Sequence, residues 1–103
     1  MPHAVFFNSY KLKKGASVPE FLEAVENLNN EYISKQKGYV SFQLLVDDDT
    51  WADSTTFETM EDAKNFAKAT DPNGYAEKFY SFLNFNSCKS NFFTLEQDYR
   101  LSN

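Results

Sequence analysis

Two sets of side chains in this sequence could act on a small molecule. Asn8 and Tyr10 lie two positions apart in one apolar run. In another run, Trp51, Asp53 and Phe57 are separated by two and four positions. Side chains alternate between the two faces of a strand, so each set shares one face if its segment is extended. Asn8 and Tyr10 could form hydrogen bonds with a ligand. Alternatively, they are polar core residues whose hydrogen bonds are satisfied within the protein.

Asp53 is the most reactive of these candidates. A carboxylate placed between rings needs a hydrogen-bond partner or has a shifted pKa if it is buried. Such a group could act as an acid or base, or a neighbour could satisfy it for purely structural reasons. Trp51, on the same face, is as well explained by packing as by catalysis, because large rings are the usual means of burying area on a sheet.

Other reactive residue types give weaker signals. The consecutive aspartates 47–49 predict a solvated turn, because neighbouring residues of a tight turn seldom converge on one cation. Cys88 has no histidine close to it in the sequence, and we expect it to be a small buried apolar residue. The sequence has no Ser-His-Asp set, glycine-rich phosphate loop, Cys-x-x-Cys pair or metal-ligand motif. No metal site is predicted.

The elements that position these residues can be read from periodicity and capping signals. Residues 4–13 predict a first strand, and Ser17 with Glu20 forms a capping box for a helix expected to run to about Lys37. Residues 39–49 and 50–58 predict a hairpin of two strands. In the first of these, Val40, Phe42, Leu44 and Val46 are predicted on one face, and Tyr39, Ser41, Gln43 and Leu45 on the other.

The second half of the chain contains similar signals. Thr59 and Asp62 form a second capping box before a helix that carries Phe66. The turn 71–74 predicts a short third helix carrying Tyr75 and Phe79. A last strand is expected from Phe85 to about Gln97, and residues 100–103 are expected to fray.

This order predicts a single α+β domain over residues 1–103. Strand, helix, strand, strand, helix, strand is the arrangement of a ferredoxin-like sandwich, a four-stranded antiparallel sheet with helices on one face and here one extra short helix. The other sheet face is left open, with Trp51, Phe57 and Tyr39 expected on it. Packing of that face against a second copy would bury it, so we expect a homodimer.

Charge and cysteine content limit the partners and the compartment. The chain of 103 residues has a net charge of −5 without a basic cluster, which argues against nucleic acid or an anionic membrane as a partner. The N-terminal segment matches neither a signal peptide nor a membrane span. Together with the single cysteine, this predicts a cytoplasmic protein.

Residues 37–68 resemble the antibiotic-biosynthesis-monooxygenase-like group of the dimeric α/β-barrel superfamily. The shared features are the Gly-aromatic entry to the second strand, the Trp-x-Asp of the third, and the aromatic-x-Thr-Met-x-Asp-Ala passage from that strand into a helix. The similarity extends over roughly residues 4–97. It implies a dimeric α/β barrel, and it favours small-molecule oxygenase chemistry without naming a substrate.

The resemblance also implies roles for particular residues. Cofactor-independent members hold a polyphenolic substrate between sheet and helices, and Asn, Trp and Tyr side chains orient the activated phenolate toward oxygen. Asn8 and Asp53 are thereby candidate catalytic residues. The candidate pocket residues are Tyr10, Trp51, Phe57, Phe66, Tyr75 and Phe79.

Haem degradation, which occurs in related proteins, fits this sequence poorly. Those relatives use a first-strand Asn, a Trp near the end of the third strand and a helical His that ligates iron. Asn8 matches the first position, but Phe57 occupies the place of the Trp. The only histidine, His3, is at the N-terminus, so haem binding through the usual ligand is not expected and no cofactor is predicted.

Three functional hypotheses follow from these observations. The protein is an oxygenase-like enzyme acting on an aromatic or quinone-like compound, a module that binds a small apolar ligand without chemistry, or a homodimer with a structural or regulatory role.

Overall fold

Four strands and three helices follow one another in the predicted order. A computed structural model of the chain describes residues 2–100. The first half contains β1 (Ala4–Leu12), α1 (Val18–Glu31), a 3₁₀ turn (Ile33–Lys35), β2 (Tyr39–Asp47) and β3 (Thr50–Phe57). The second half contains α2 (Met60–Lys68), α3 (Tyr75–Tyr80) and β4 (Leu83–Thr94). The predicted fraying covers residues 100–103, of which 101–103 lie outside the described residues.

The strands form one antiparallel sheet in the order β2-β3-β1-β4. The buried residues of α1, α2 and α3 pack on one face of this sheet, in two apolar clusters. The predicted α+β, ferredoxin-like architecture is therefore confirmed. None of the helices in residues 2–100 is long and apolar enough to cross a membrane.

The two predicted helix starts are present. Ser17 Oγ accepts the backbone N–H of Glu20 at 3.3 Å, and Thr59 Oγ1 accepts that of Asp62 at 3.0 Å. Each bond satisfies one of the amides that the first turn of a helix leaves without a partner.

Helix α1 ends at Glu31, six residues before the predicted end at Lys37. Tyr32 leaves the helical region with φ −134° and ψ −62°, and a 3₁₀ turn follows. This change of direction brings Ile33 into the core at 3% exposure, and the Gln36 amide donates to the carbonyl of Tyr32 at 3.1 Å.

A β-bulge in β2 changes which of its residues share a face. The pairing with β3 shifts between Tyr39 and Ser41, so Tyr39 lies opposite Phe57 while Ser41 lies opposite Thr56. The extra residue puts Tyr39 on the same face as Phe42 and Leu44, whereas strict alternation had placed it on the other face. The predicted assignment of Tyr39 and Val40 was therefore wrong, because alternation alone cannot reveal a bulge.

The expectation that Trp51 and Phe57 belong to the open face was also wrong. Phe57 is fully buried in the cluster with Ala4 and Ala63, and Trp51 packs edge-on against Phe21 of α1 at 5.1 Å between ring centroids. Both rings therefore lie on the helix-covered face. The register assigns to the open face Val5, Phe7, Ser9, Ser41, Gln43, Leu45, Ala52, Ser54, Thr56, Asn91 and Phe93.

Strand β4 runs from Leu83 to Thr94, two residues earlier at its start and three earlier at its end than predicted. Its pairing with β1 is irregular between Ser9 and Lys11. Across this irregularity the backbone N–H of Lys11 donates to Ser87 Oγ at 2.8 Å. The hydroxyl oxygen of Ser87 thus takes the place of a backbone carbonyl acceptor where the regular pairing of β1 and β4 is interrupted.

Candidate active site

A cavity of about 420 Å³ lies between the helix-covered face of the sheet and the helices. Its size is within the range of sites that hold small organic ligands. All four strands contribute to its floor, β2 through Phe42, and the ends of α1 and α2, the following loop and α3 form its roof. Most lining side chains are apolar or aromatic, including Phe6, Leu28, Tyr32, Ile33, Phe42, Phe66, Phe79, Tyr80, Leu83 and Phe85.

Asp53 is the centre of the polar part of the cavity wall. Its side chain is 4% exposed, and both carboxylate oxygens accept hydrogen bonds. The Tyr10 hydroxyl donates to Oδ2 at 2.7 Å, and the Asn8 amide donates to Oδ1 at 3.0 Å. The strand register explains this meeting, because Asn8 lies directly opposite Asp53 in the β1–β3 ladder and Tyr10 follows on the same face.

Ser90 on β4 extends the network by one residue. Its hydroxyl donates to Asn8 Oδ1 at 2.5 Å, and the register places it opposite Asn8 on the other side of β1. An amide whose oxygen accepts from Ser90 must direct its NH₂ group toward Asp53. Three neighbouring strands thus supply one connected line of donors and acceptors along the cavity floor.

Burial dominates the electrostatics of this network. It raises the pKa of Asp53, and the hydrogen bonds from Tyr10 and Asn8 oppose the rise only in part. Burial also raises the pKa of the Tyr10 hydroxyl far above its usual value, with the charge of Asp53 and their hydrogen bond as further causes. Tyr10 is therefore a neutral donor at physiological pH, and the carboxyl group of Asp53 has an increased affinity for a proton.

Burial, and then the charge of Asp53, also raises the pKa of two other groups on the cavity wall, Tyr80 and Cys88. For Tyr32 the causes of a raised pKa are burial, then Asp71 and Tyr80. Because their pKa values are raised, these three groups are uncharged at neutral pH.

The cavity contains five of the eight predicted site residues. Asn8, Tyr10 and Asp53 form its polar floor, and Phe66 and Phe79 form part of its apolar wall. All five come from strand faces or helix stripes that point toward the same layer.

The other three predicted pocket residues do not line the cavity. Trp51 covers Phe21 near the end of the sheet, and Phe57 packs beneath Phe66, with 5.2 Å between ring centroids. Tyr75 packs against the main core from the first turn of α3. Each shares a face or helix with cavity residues, but its side chain packs into the core instead of lining the space.

Several cavity residues were not singled out from the sequence. Tyr32, Asp71, Glu77, Tyr80 and Ser90 all line it. Asp71 accepts the backbone N–H groups of Asn73 and Ala76 at 2.9 Å each, a loop-capping role that its Asp-Pro-Asn-Gly context could have indicated. Tyr32 follows Leu28 by four positions in the apolar stripe of the first helix, and this spacing could have indicated it.

Cys88 differs from its predicted state. It is exposed rather than buried, and it contributes to the cavity wall near the irregular part of β4. The irregular pairing explains the difference, because a regular strand would have given Cys88 a fixed inward or outward orientation. Among residues 2–100, no group of three or more His, Cys, Asp or Glu side chains is arranged to hold a metal ion.

Comparison with known proteins identifies this architecture. No protein-family model matches the sequence, and no curated protein matches it significantly. Solved structures do match. The cofactor-independent oxygenase SnoaB from Streptomyces nogalater is similar with a TM-score of 0.76 and 14% identity, covering 95% of this chain and 97% of SnoaB.

Two further structures support the same conclusion. A candidate antibiotic biosynthesis monooxygenase from Nitrosomonas europaea matches with a TM-score of 0.68 and 16% identity, over 89% of this chain and 88% of that one. A dimeric protein of unknown function with a ferredoxin-like fold, from Bacteroides fragilis, matches with a TM-score of 0.63 and 14% identity, over 89% and 95%. At these identities the likeness concerns the fold. The chain therefore has the ferredoxin-like fold of antibiotic-biosynthesis-monooxygenase-like proteins, as the sequence resemblance indicated.

Proposed function

We propose that this protein is a cofactor-independent oxygenase that acts on an aromatic or quinone-like compound. The observation that carries the proposal is the buried carboxylate of Asp53, hydrogen-bonded by Tyr10 and Asn8 at the floor of an aromatic cavity of about 420 Å³. The similarity to SnoaB, a cofactor-independent oxygenase, adds support from the fold.

The reaction requires removal of one proton and a controlled encounter with O₂. In the balanced form, a ring CH₂ group and O₂ give a ring C=O group and one water. The CH₂ carbon loses two hydrogens and gains one oxygen atom, and O₂ is reduced by the four electrons that the carbon gives up. An electron-rich substrate anion supplies these electrons directly, so the oxidant is O₂ and the reductant is the substrate.

Asp53 is the proton acceptor in this proposal. A base needs a pKa close enough to the working pH to take a proton and later return it, and burial moves the pKa of Asp53 in that direction. The proton taken from the substrate's CH₂ group or enol hydroxyl returns to the reduced oxygen that leaves as water. Each carboxylate oxygen has a second lone pair, so the existing hydrogen bonds leave room for this proton.

Tyr10 and Asn8 are positioning and stabilising groups. Tyr10 lies on the cavity wall, and its hydroxyl oxygen can accept from a substrate hydroxyl while its proton bonds to Asp53 Oδ2. Asn8 holds the other carboxylate oxygen at 3.0 Å and is itself oriented by Ser90. The aromatic walls hold the flat substrate and exclude water from the anion that reacts with O₂.

The proposal includes a homodimer in the cytoplasm. The open sheet face includes Phe7 and Phe93, whose rings meet edge to face at 6.3 Å between centroids, and Phe93 is 52% exposed. Burial of such rings against a second copy is favourable. The Bacteroides fragilis protein with this fold is dimeric, which supports the same assembly. The single cysteine supports a reducing compartment.

Oxygen uptake with 1,8-dihydroxyanthrone tests the enzymatic proposal, because this compound has a reactive CH₂ group between hydroxylated rings. We expect the protein to accelerate uptake above the spontaneous rate, with one water formed per O₂ and 1,8-dihydroxyanthraquinone as product. Asp53→Asn should reduce the acceleration by a factor of about 10²–10⁴, the range for loss of an acid-base group.

A second experiment distinguishes an enzyme from a protein that only binds its ligand. A thermal-shift screen with flavonoids, anthraquinols, quinones and haem identifies ligands, since binding to the native state raises the Tm. Ligands that stabilise the protein but are not oxidised would favour the binding module. A protein that neither binds nor oxidises any of them would overturn the oxygenase proposal and leave an assembly role.

A further inference from the structure

Acidic residues outnumber basic ones on the cavity wall by three to one among the described residues. Asp53 lies on its floor, and Asp71 and Glu77 lie on the side formed by α3 and the loop before it. Within the described part of the chain, the one basic residue on the wall is Lys89. Lys89 lies opposite Ser9 in the β1–β4 register, so it belongs to the sheet face opposite Asn8 and Tyr10.

Other basic side chains near this end of the molecule are engaged elsewhere. Lys64 lies over the ring of Phe92 at 5.8 Å, and Lys78 over the ring of Phe82 at 5.4 Å. No salt bridge is formed by Asp53, Asp71 or Glu77 in residues 2–100. A negative ligand group entering the cavity would therefore meet three acidic side chains against one lysine, Lys89, among the described residues of the wall.

The geometry points to a selectivity device: we infer that Asp71 and Glu77, together with Asp53, make the cavity select uncharged phenolic or enolic aromatic compounds and reject carboxylated ones. This inference rests on the proposed function, because it specifies the substrate class of the same site. The acceptors on the floor suit ligands whose hydroxyl groups donate hydrogen bonds. A substrate carboxylate would lose its hydration and approach Asp53 without compensation.

Two features of the carboxylates assign them different parts in this selectivity. Asp71 has its oxygens occupied by the backbone N–H groups of Asn73 and Ala76, so its charge is fixed in place. Glu77 is exposed on α3 and is free of hydrogen bonds among the described side-chain contacts. Glu77 is consequently the residue whose charge can be changed with the least disturbance of the fold.

Binding of a matched pair of ligands tests the inference. The probes are 1,8-dihydroxyanthraquinone and its 3-carboxylate, which share the ring system and differ by one negative charge at pH 6.5. We expect the wild-type protein at low salt to bind the uncharged compound about tenfold more tightly, and added salt to reduce the ratio. Glu77→Lys should reduce the ratio by a factor of about three or more. Glu26→Lys, an equal charge change on the exposed face of α1 away from the cavity, should leave it unchanged.

The outcomes distinguish this inference from the proposed function. Equal affinities for the two probes, or equal effects of Glu77→Lys and Glu26→Lys, would overturn the selectivity and leave the oxygenase proposal intact. A preserved preference in a protein that does not accelerate anthrone oxidation would support the selectivity and overturn the enzymatic proposal. If neither probe binds, the cavity is not an aromatic site and both proposals fall.

Discussion

At the scale of single residues, the unusual feature is a buried carboxylate whose partners are neutral. Asp53 is 4% exposed and is bonded by a hydroxyl and an amide rather than by a cation. Two neutral donors recover only part of the hydration that a carboxylate loses on burial. A residue that costs stability in this way is typical of a functional site, where packing elsewhere offsets the cost.

The pH dependence of stability provides the first test at this scale. Because burial raises the pKa of Asp53, the folded state holds its proton to a higher pH than the unfolded chain does. The free energy of unfolding should therefore fall as the pH rises from about 4, the usual value for aspartate, through the folded-state pKa. In Asp53→Asn this fall should disappear, so the variant gains stability relative to wild type across that window.

Urea unfolding at a series of pH values measures the effect. Asp47→Asn, at an exposed position of β2, is the matched control and should keep the wild-type profile. A fall of equal size in wild type and Asp53→Asn would show that the buried carboxylate is not the group responsible.

Removal of the Tyr10 hydroxyl is the second residue-scale prediction. Tyr10→Phe keeps the ring packed against Phe21 and Phe79 but leaves Asp53 with only the Asn8 amide. We expect a loss of about 1–3 kcal/mol in the free energy of unfolding near neutral pH, the cost of depriving a buried charged acceptor of its donor. The pKa of Asp53 should rise further, because the hydrogen bond from Tyr10 lowers it.

Chemical denaturation and NMR titration of the Asp53 carboxyl carbon check these two effects. Tyr99→Phe, at a tyrosine that is 88% exposed, is the control and should change stability by less than about 0.5 kcal/mol. If the two tyrosine variants were equally stable, the bond from Tyr10 would contribute nothing to the fold.

At the scale of elements, the entry to β2 lies close against the start of α2. Gly38 has φ +82°, and a Cβ there would collide with the side chain of Asp62. The carbonyl of Gly38 also accepts the backbone N–H of Glu58 at 2.7 Å. This contact sets where α2 begins, and α2 in turn positions Phe66 at the cavity. Glycine is required at position 38 for both conformation and space.

Comparison of two glycine variants separates these requirements. Gly15 has the same φ of +82°, but a Cβ added there would have no other atom within 4 Å. Gly15→Ala should lower the free energy of unfolding by about 1–2 kcal/mol, the cost of holding an alanine in the left-handed conformation. Gly38→Ala should lower the free energy of unfolding by at least about 1 kcal/mol more than Gly15→Ala does, because the Asp62 side chain or the backbone must move.

Thermal and urea unfolding of both variants provide the measurement. Adding Asp62→Ala to Gly38→Ala should recover part of the additional loss in a double-mutant cycle, because it removes the carboxyl group but keeps the Cβ, 2.9 Å from the added one. If the two glycine variants were equally destabilised, or if Asp62→Ala recovered nothing, the close approach of β2 and α2 would have no energetic consequence.

At the scale of the whole molecule, the sheet is covered on one face only. The open face combines the rings of Phe7 and Phe93 with polar side chains such as Ser54 and Gln43, which hydrogen-bond to each other at 3.1 Å. A mixed surface of this kind can be stable in water by itself and still gain from pairing with an identical face.

The proposed homodimer gives the whole-molecule prediction. Analytical ultracentrifugation at micromolar concentration should give the mass of two chains, about twice 11.9 kDa. Phe93→Glu should shift the equilibrium toward monomer by a factor of about ten or more, because each chain would bring a charged side chain into an apolar contact. Leu22→Glu, at a residue 43% exposed on α1, is the control on the opposite side of the molecule and should remain dimeric. A wild-type monomer at this concentration would contradict the assembly.

The sequence by itself determined most of the local structure. Capping boxes at Ser17 and Thr59 fixed two helix starts, since unpaired amides need nearby acceptors wherever the helix lies. The alternation of side chains along a strand predicted that Asp53 and Phe57 share one face, and the order of strands and helices predicted a four-stranded antiparallel sheet. Asn8, Tyr10 and Asp53 could be named as candidates because polar groups on apolar faces are conspicuous in a sequence.

Only the tertiary structure decided which of these residues meet. The end of α1 at Glu31, the bulge in β2 and the irregular pairing of β4 depend on contacts between distant segments, and no local signal encodes them. The packing of the helices on the sheet includes Tyr32 and Ser90 in the cavity wall, whereas Trp51, Phe57 and Tyr75 are not among the residues that line it. A site is a relation in space among several elements, whereas periodicity assigns each residue only to a face of its own element.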